Sequence, residues 1–342
     1  MRRMLARLRR EAVRTTALLV VSLLVAVSTA AQEPHAVNVK PVSLAENLAP
    51  GARVGRLRFL GMLEIPGAMY NGVRLSQLSD IAWDEATATL YAVSDKGVLF
   101  HLHPLIRDGF LVGLSISGAF PLRELKNGEP LRYKRADSEG IAIMRSGAAD
   151  KNIELLVSFE RFPRVVRYRP DGYAVAEETL PSVLANPRSY TDENRMLESV
   201  CYDSRFGVLT MPERPLRNEG VGYDRLYSLS GRSWPYPLAA GSRVVSLVCR
   251  GNGEVLVLEN DFGTHFWRSS VAIKRIRLKD AAAGDAPLAV QTLFTLDGGE
   301  GYQIDNFEGL AHHRGNRYFM VSDNNDFFLQ RTLLLYFELL DE

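Results

Sequence analysis

Five times along the chain, a short stretch led by an acidic or polar residue is followed by an apolar stretch that ends in an acid. The leading positions are Asp80, Glu139, Glu198, Ser246 and Glu308, and the trailing acids are Asp95, Glu160, Glu213, Glu259 and Asp323. Carboxylates at equivalent places in repeated units can converge on one axis. There they would repel, raise one another's pKa values, and favour either protonation or a bound cation. Hard oxygens in a flexible arrangement suit Ca²⁺, which takes six to eight of them at about 2.4 Å. The expected metal set is Asp80, Glu139, Glu198, Glu259, Glu308 and Asp323, with Asn260, Asn306 and Asn324 as further oxygen donors. Against this, acids at strand ends are common turn residues, and any one of them could simply be solvated or paired with an arginine.

The residues that follow the trailing acids are Lys96, Arg161, Arg214, Asn260 and Asn324. An acid beside a cation in three successive repeats can hold a metal and an anion side by side. Arginine offers a bidentate fork to phosphate or carboxylate, and lysine a point charge. Lys96, Arg161 and Arg214 are therefore expected to bind a small anionic substrate, with Glu160 or Glu213 assisting proton transfer. Local charge balance along a rim would produce the same pattern without a ligand. His312 and His313 follow the Glu308 stretch, so alternation turns one ring inward, and His312 joins the expected substrate contacts. The sequence has no Gly-x-Ser-x-Gly elbow, His-Glu-x-x-His helix, P-loop or dinucleotide fingerprint, so nucleophilic serine chemistry has no support.

The elements that must position these groups are strands. Residues 89–94, 153–158, 207–211, 254–258 and 317–322 are short, β-branched or aromatic, and bounded by turn residues. Tight turns precede them, as at Gly251-Asn252-Gly253 and Arg314-Gly315-Asn316. Third strands are expected at 98–102, 164–169, 224–229, 271–278 and 332–339, and fourth strands at 110–120, 173–179 and 287–296, with a weaker one after Ser230. A helical turn is expected near 179–184, and sustained helical periodicity is absent.

Self-similarity at a long period signals a repeat architecture, and four antiparallel strands repeated around an axis make a β-propeller blade. The expected fold class is therefore all-β, a propeller with five visible repeats. The last repeat has only three strands, and the strand at 56–65 has no partner nearby. The economical solution is that this early strand completes the last blade and closes the ring, which also removes exposed sheet edges. A six-bladed alternative would draw on 37–44 and the insertion at 186–195. Cys201 and Cys249, the two cysteines, fall in matching places of consecutive repeats and could pair or pack as small apolar residues.

Residues 1–30 read as a signal peptide, with a basic segment from Arg2 to Arg14, an apolar run from Ala17 to Val27, and small residues around Ala30 and Ala31. That run is short of the roughly 18 apolar residues a span needs, so no stable membrane insertion is expected after cleavage. An N-terminal extension (31–55) and a single domain (56–342) would follow, with a periplasmic or extracellular location. The thirty leading residues carry six Arg and one Glu against +1 for the whole chain, so the remainder stands near −4. That balance lacks the basic footprint of nucleic-acid binding.

Several phrases, taken in order, resemble the phytase-like domain family, also described as "esterase-like activity of phytase" and found in many exported bacterial proteins. They are Asp95-Lys96-Gly97, Asp137-Ser138-Glu139-Gly140-Ile141, Ser158-Phe159-Glu160-Arg161, Leu197-Glu198-Ser199, Leu258-Glu259-Asn260 and Asn306-Phe307-Glu308-Gly309-Leu310. The resemblance runs from about Leu57 to Leu339. It implies a propeller and, by analogy with calcium-dependent propeller phytases, hydrolysis of phosphoric esters. The family's motifs fall on Glu139, Glu160, Arg161, Glu198, Glu259 and Glu308 without naming a nucleophile or general acid. The expectation is an exported, calcium-dependent hydrolase of phosphate or related anionic esters at the propeller axis. A non-catalytic binding propeller with a structural ion, and a lactonase-like enzyme with a neutral substrate, remain as alternatives.

Overall fold

Each repeat folds as an antiparallel sheet because its strands alternate tight turns with runs of β-branched, leucine and aromatic residues. A computed structural model of the chain describes residues 33–145, 153–261, 269–278, 284 and 286–340. The expected signal peptide lies outside them. Blade 1 runs outward as Leu78–Asp84, Thr89–Ser94, Val98–Arg107 and Phe110–Pro121. Blade 2 is Ser138–Arg145, Ile153–Phe159, Arg164–Tyr168 and Ala174–Glu177, and blade 3 is Leu197–Asp203, Gly207–Pro212, Tyr223–Ser228 and Ser233–Pro237. Blade 4 is Arg243–Gly251, Glu254–Asp261, Ser270–Arg277 and Gln291–Asp297. The innermost strands of the five blades contact one another around the axis.

Blade 5 is built from both ends of the described chain. Phe307–His312, Arg317–Ser322 and Leu333–Leu339 supply three strands, and Leu57–Glu64 supplies the fourth, with Leu63 opposite Leu334. The ring is thus a closed five-bladed β-propeller, as the unpaired early strand implied. The upstream segment adds a second fastening. His35–Ala36 pairs with Phe110–Pro121 at the outer edge of blade 1, and Lys40–Val42 pairs with Leu57–Glu64 in blade 5. These pairings dispose of the six-bladed alternative. Residues 37–44 extend existing blades. The 186–195 insertion is a loop with a short 3₁₀ turn at Pro187–Ser189, anchored by Tyr190, whose hydroxyl donates to the Leu184 carbonyl at 2.8 Å. The expected helical turn is Ser182–Ala185.

Middle strands are buried on both faces because each blade is covered by its neighbours; all six residues of Thr89–Ser94 are buried. Trp234, Tyr168, Tyr236, Phe159, Phe319 and Phe337 fill the spaces between blades. Burying such a side chain stabilises the fold by roughly 1.5–3 kcal/mol. Cys201 and Cys249 form a disulfide between the inner strands of blades 3 and 4, with Cα atoms 5.5 Å apart. Among the described residues no helix is long and apolar enough to cross a membrane.

Candidate functional site

All five inner strands carry a register shift at the same place, between Leu78 and Asp80, Ser138 and Ile141, Leu197 and Ser199, Val244 and Ser246, and Phe307 and Gly309. A bulge breaks strict alternation and re-aims side chains. The pairings put Ser79, Glu139, Glu198, Val245 and Glu308 in one slot, and Asp80, Gly140, Ser199, Ser246 and Gly309 in the next. Asp80 therefore does not belong with the three glutamates, and its partner in kind is Ser246. The leading residues Asp80 and Ser246 thus stand one place out of register with Glu139, Glu198 and Glu308.

The second slot seals the channel. Asp80 is fully buried; its Oδ1 accepts from the Leu310 amide (3.1 Å) and the Ser246 hydroxyl (3.0 Å), and its Oδ2 from the Ile141 amide (3.0 Å). One carboxyl thus ties together blades 1, 2, 4 and 5. Burial pushes its pKa up to about 8 against the pull of these donors. The glycines in this slot are required by close approach. A Cβ at Gly140 would lie 2.7 Å from the Glu198 carbonyl oxygen, and one at Gly309 2.8 Å from the Asp80 Cα.

On one side of the seal the channel is acidic. The carboxylate oxygens of Glu160, Glu198 and Glu213 lie within 4.8 Å of one another, as do those of Asp137, Glu139 and Glu160. Burial, then the charges of Glu198, Asp95, Glu160 and Asp137, pushes Glu139 well above the ordinary carboxylate range. Burial and the charges of Glu213, Glu160 and Glu308 do the same to Glu198. Burial, Asp137 and Glu213 lift Glu160 to about 9. Asp323 is also raised, by burial and then by Asp95 and Glu308, while Ser79 donates to Asp95 at 2.6 Å.

Arg243 is the internal counter-charge, and the sequence reading missed it. Its guanidinium donates to Glu213 (2.7 Å), Asn260 (2.5 Å), Asn306 (2.7 Å) and Glu308 (3.2 Å). Burial, which alone would weaken its hold on a proton, is outweighed by Glu308, Glu213 and Glu198. Opposing burial, Arg243 and Asn306 pull Glu308 down, leaving it at about 7. The one sequence signal was position: Arg243 stands at the head of an inner strand, opposite Asn260.

Glu259 lies elsewhere. In register, the residue equivalent to Glu213 is Asn260, and Glu259 matches Pro212. Neighbouring residues of a strand point to opposite faces, so Glu259 turns away from the axis to accept from Tyr236 (2.5 Å) and Lys274 (2.6 Å). It is not placed to join an axial metal set. Arg214 is held on the carbonyls of Gly241 (3.1 Å) and Ser242 (3.0 Å). His312 is at the opposite mouth, bonded to the Gly315 carbonyl (2.9 Å), and cannot share a ligand with Lys96 and Arg161. That mouth is a cavity of about 180 Å³ lined by Trp83, Tyr202, His312 and the disulfide.

Lys96 and Arg161 do meet. With Asp95 and Asp137 they line a cavity of about 780 Å³ beside the acidic mouth. Arg161 donates to Asp137 through Nε. The donor set fits a hard divalent cation: the Glu213 Oε2 is buried without a hydrogen-bond partner, and no described residue donates to the carboxylates of Glu139, Glu160 or Glu198.

Ring and mouth together define a five-bladed propeller with a one-sided, carboxylate-lined central site. The chain belongs to the phytase-like family described as "Esterase-like activity of phytase", whose sequence pattern matches residues 73–326. No curated protein matches the chain. Among solved structures it is similar to the Pan2 WD40 domain of Neurospora crassa, with 14% identity, TM-score 0.43, and coverage of 86% of this chain and 98% of that one. It is also similar to the Cps50 (Swd1) β-propeller domain of Myceliophteria thermophila, with 11% identity, TM-score 0.40, and coverage of 89% and 99%.

Proposed function

We propose that this phytase-like propeller is an exported, calcium-dependent hydrolase of phosphate esters, working at the acidic mouth of its axis. The observation that carries the reading is the group of carboxylates without donors among the described residues, buried Glu160 and Glu198 and half-buried Glu139, set beside a cavity lined by cations. Glu139, Glu160, Glu198 and Glu213 would hold the ion, with Asp95, Glu308 and Asp323 within the same field. A bound Ca²⁺ would polarise the phosphoryl group and neutralise developing charge. Lys96 would orient the anion from the cavity side, with Arg161 held beside it by Asp137. In the ion-free protein Glu160 is lifted to about 9, and it would give up that proton as the ion binds. The basic and apolar leader and the disulfide both support export to an oxidising compartment.

The test is turnover of phosphate monoesters by the mature protein with added Ca²⁺ and with chelator. Activity should require the ion. Glu198→Gln should lower kcat/KM by about 100-fold or more, the scale on which metal-held charge stabilisation acts. The same change should raise the melting temperature of the ion-free protein, because it removes a carboxyl that burial and its neighbours force to take up a proton on folding. Turnover that survives chelation, or an active Glu198→Gln variant, would remove the axial site from the chemistry. A calcium-stabilised protein that hydrolyses no ester would make the ion structural.

A further inference from the structure

Gln77 is buried, with 7% of its surface exposed, and its side-chain oxygen has no hydrogen-bond partner. An orphaned buried acceptor is costly, by about 1–3 kcal/mol, unless a ligand or water supplies the donor. Gln77 lines the 780 Å³ cavity beside the acidic mouth. So does Tyr133, a residue 92% exposed. Both residues hold left-handed backbone, at φ 53° and 54°. That conformation costs an ordinary L-residue about 1–2 kcal/mol. Of the nine such non-glycine residues described, six are Asn or Asp, which tolerate it; Gln77 and Tyr133 are two of the other three.

The wall that presents Tyr133 is preformed. It belongs to the link between blades 1 and 2, where Tyr133–Arg135 makes a 3₁₀ turn. Arg135 is bonded to Glu124 at 2.6 Å, and its carbonyl accepts from Arg164 at 2.5 Å. Gly97 packs so closely on the turn that a Cβ there would stand 3.0 Å from that of Ala136. Lys96, Arg132, Lys134 and Arg161 all line the cavity. Lys134 is engaged by Glu193 at 2.8 Å and Arg161 by Asp137. The side chains of Lys96 and Arg132 make no hydrogen bond or ion pair with a described residue, and Lys96 stands in the field of Asp95. The pocket therefore offers two cations outside any ion pair, one amide oxygen as acceptor and one open aromatic face, with Asp95 at its acidic edge and Asp137 answered by Arg161. A phosphate monoester dianion matches two cations, and a polyphosphate would leave charge unanswered.

Resting on the reading above, we infer that Gln77 and Tyr133 set the specificity of an off-axis pocket over blades 1 and 2, which takes the phosphate monoester of a hydroxylated ring, such as a sugar phosphate, in preference to a polyphosphate. Lys96 and Arg132 hold the phosphate against the acidic mouth. The ring lies on Tyr133, and one of its hydroxyls donates to Gln77. The pocket volume suits a ligand of that size.

Calorimetric titration of the calcium-loaded mature protein with glucose 6-phosphate, methyl phosphate and phytate tests this. Glucose 6-phosphate should bind about 10-fold more tightly than methyl phosphate, the equivalent of one good added contact. Tyr133→Ala and Gln77→Ala should each erode that ratio while leaving methyl phosphate unchanged. Arg132→Ala should weaken both ligands by about 10-fold. A ratio untouched by Tyr133→Ala and Gln77→Ala, stronger binding of phytate, or no binding of either monoester would overturn the inference. Binding as described without turnover would sink the hydrolase reading and leave the pocket. Turnover indifferent to these variants would do the reverse.

Discussion

Asp80 and Glu198 are both buried acids on inner strands, one residue apart in register, yet they have different work. Asp80 spends both oxygens on amides and a hydroxyl of three other blades, whereas Glu198 faces other carboxylates across an open mouth. Asp80→Asn places an amide NH₂ against a donor, so it should cost about 1–3 kcal/mol in chemical denaturation. Calcium affinity should be unchanged; a large loss would return Asp80 to the metal set. Residue types told the truth about where carboxylates gather. What they could not tell was register, because a bulge in each inner strand separates slots that look alike as text. Glu259 was lost to the same one-residue ambiguity. Arg243 was illegible for another reason: its four partners lie 17, 30, 63 and 65 residues away and only the closed ring assembles them.

At the scale of elements, strand patterning and the unpaired early strand were enough to anticipate the blades and their closure. The two-residue pairing at His35–Ala36 was not, since two residues carry no period. The cysteines show how ring geometry forgives a slip. They sit one residue out of step in register, yet inner strands of adjacent blades run side by side and bring them together. The bond closes a separation of 48 residues. Chain-entropy arguments assign such a loop about 4 kcal/mol. Cys201→Ser with Cys249→Ser should therefore lower unfolding free energy by about 2–4 kcal/mol relative to the oxidised protein. The wild type under reducing conditions should fall to the same value. Equal stability of oxidised wild type and double variant would show that the cross-link carries no load.

The whole molecule has a pH dependence that follows from its crowded mouth. Asp95, Glu308 and Glu160 at the mouth stand at about 6, 7 and 9, and Asp80 in the seal at about 8, all above unfolded values near 4. The native state therefore binds more protons than the unfolded chain throughout that interval. The contribution of these groups is fully present below pH 4 and is lost as pH rises through each folded value. Between pH 5 and 9 the melting temperature of the ion-free protein should fall. Calcium competes with the protons at the mouth, though not with that of Asp80, so its stabilisation should grow with pH and flatten the profile. An ion-free protein that becomes more stable from pH 5 to 9 would contradict the assignment of a strained acidic mouth.

The closure of blade 5 also sets a clock. Arg58 meets Glu338 across 280 residues, so an early strand must wait for a late one. At roughly 5–20 residues per second that wait lasts tens of seconds on the ribosome. Throughout it blade 5 is incomplete and the ring has open edges, a state of the kind chaperones hold. A message interrupted before residues 333–339 yields a chain that can fold blades but has no closed form to reach. The ring can close only once Leu333–Leu339 has been made and has met Leu57–Glu64.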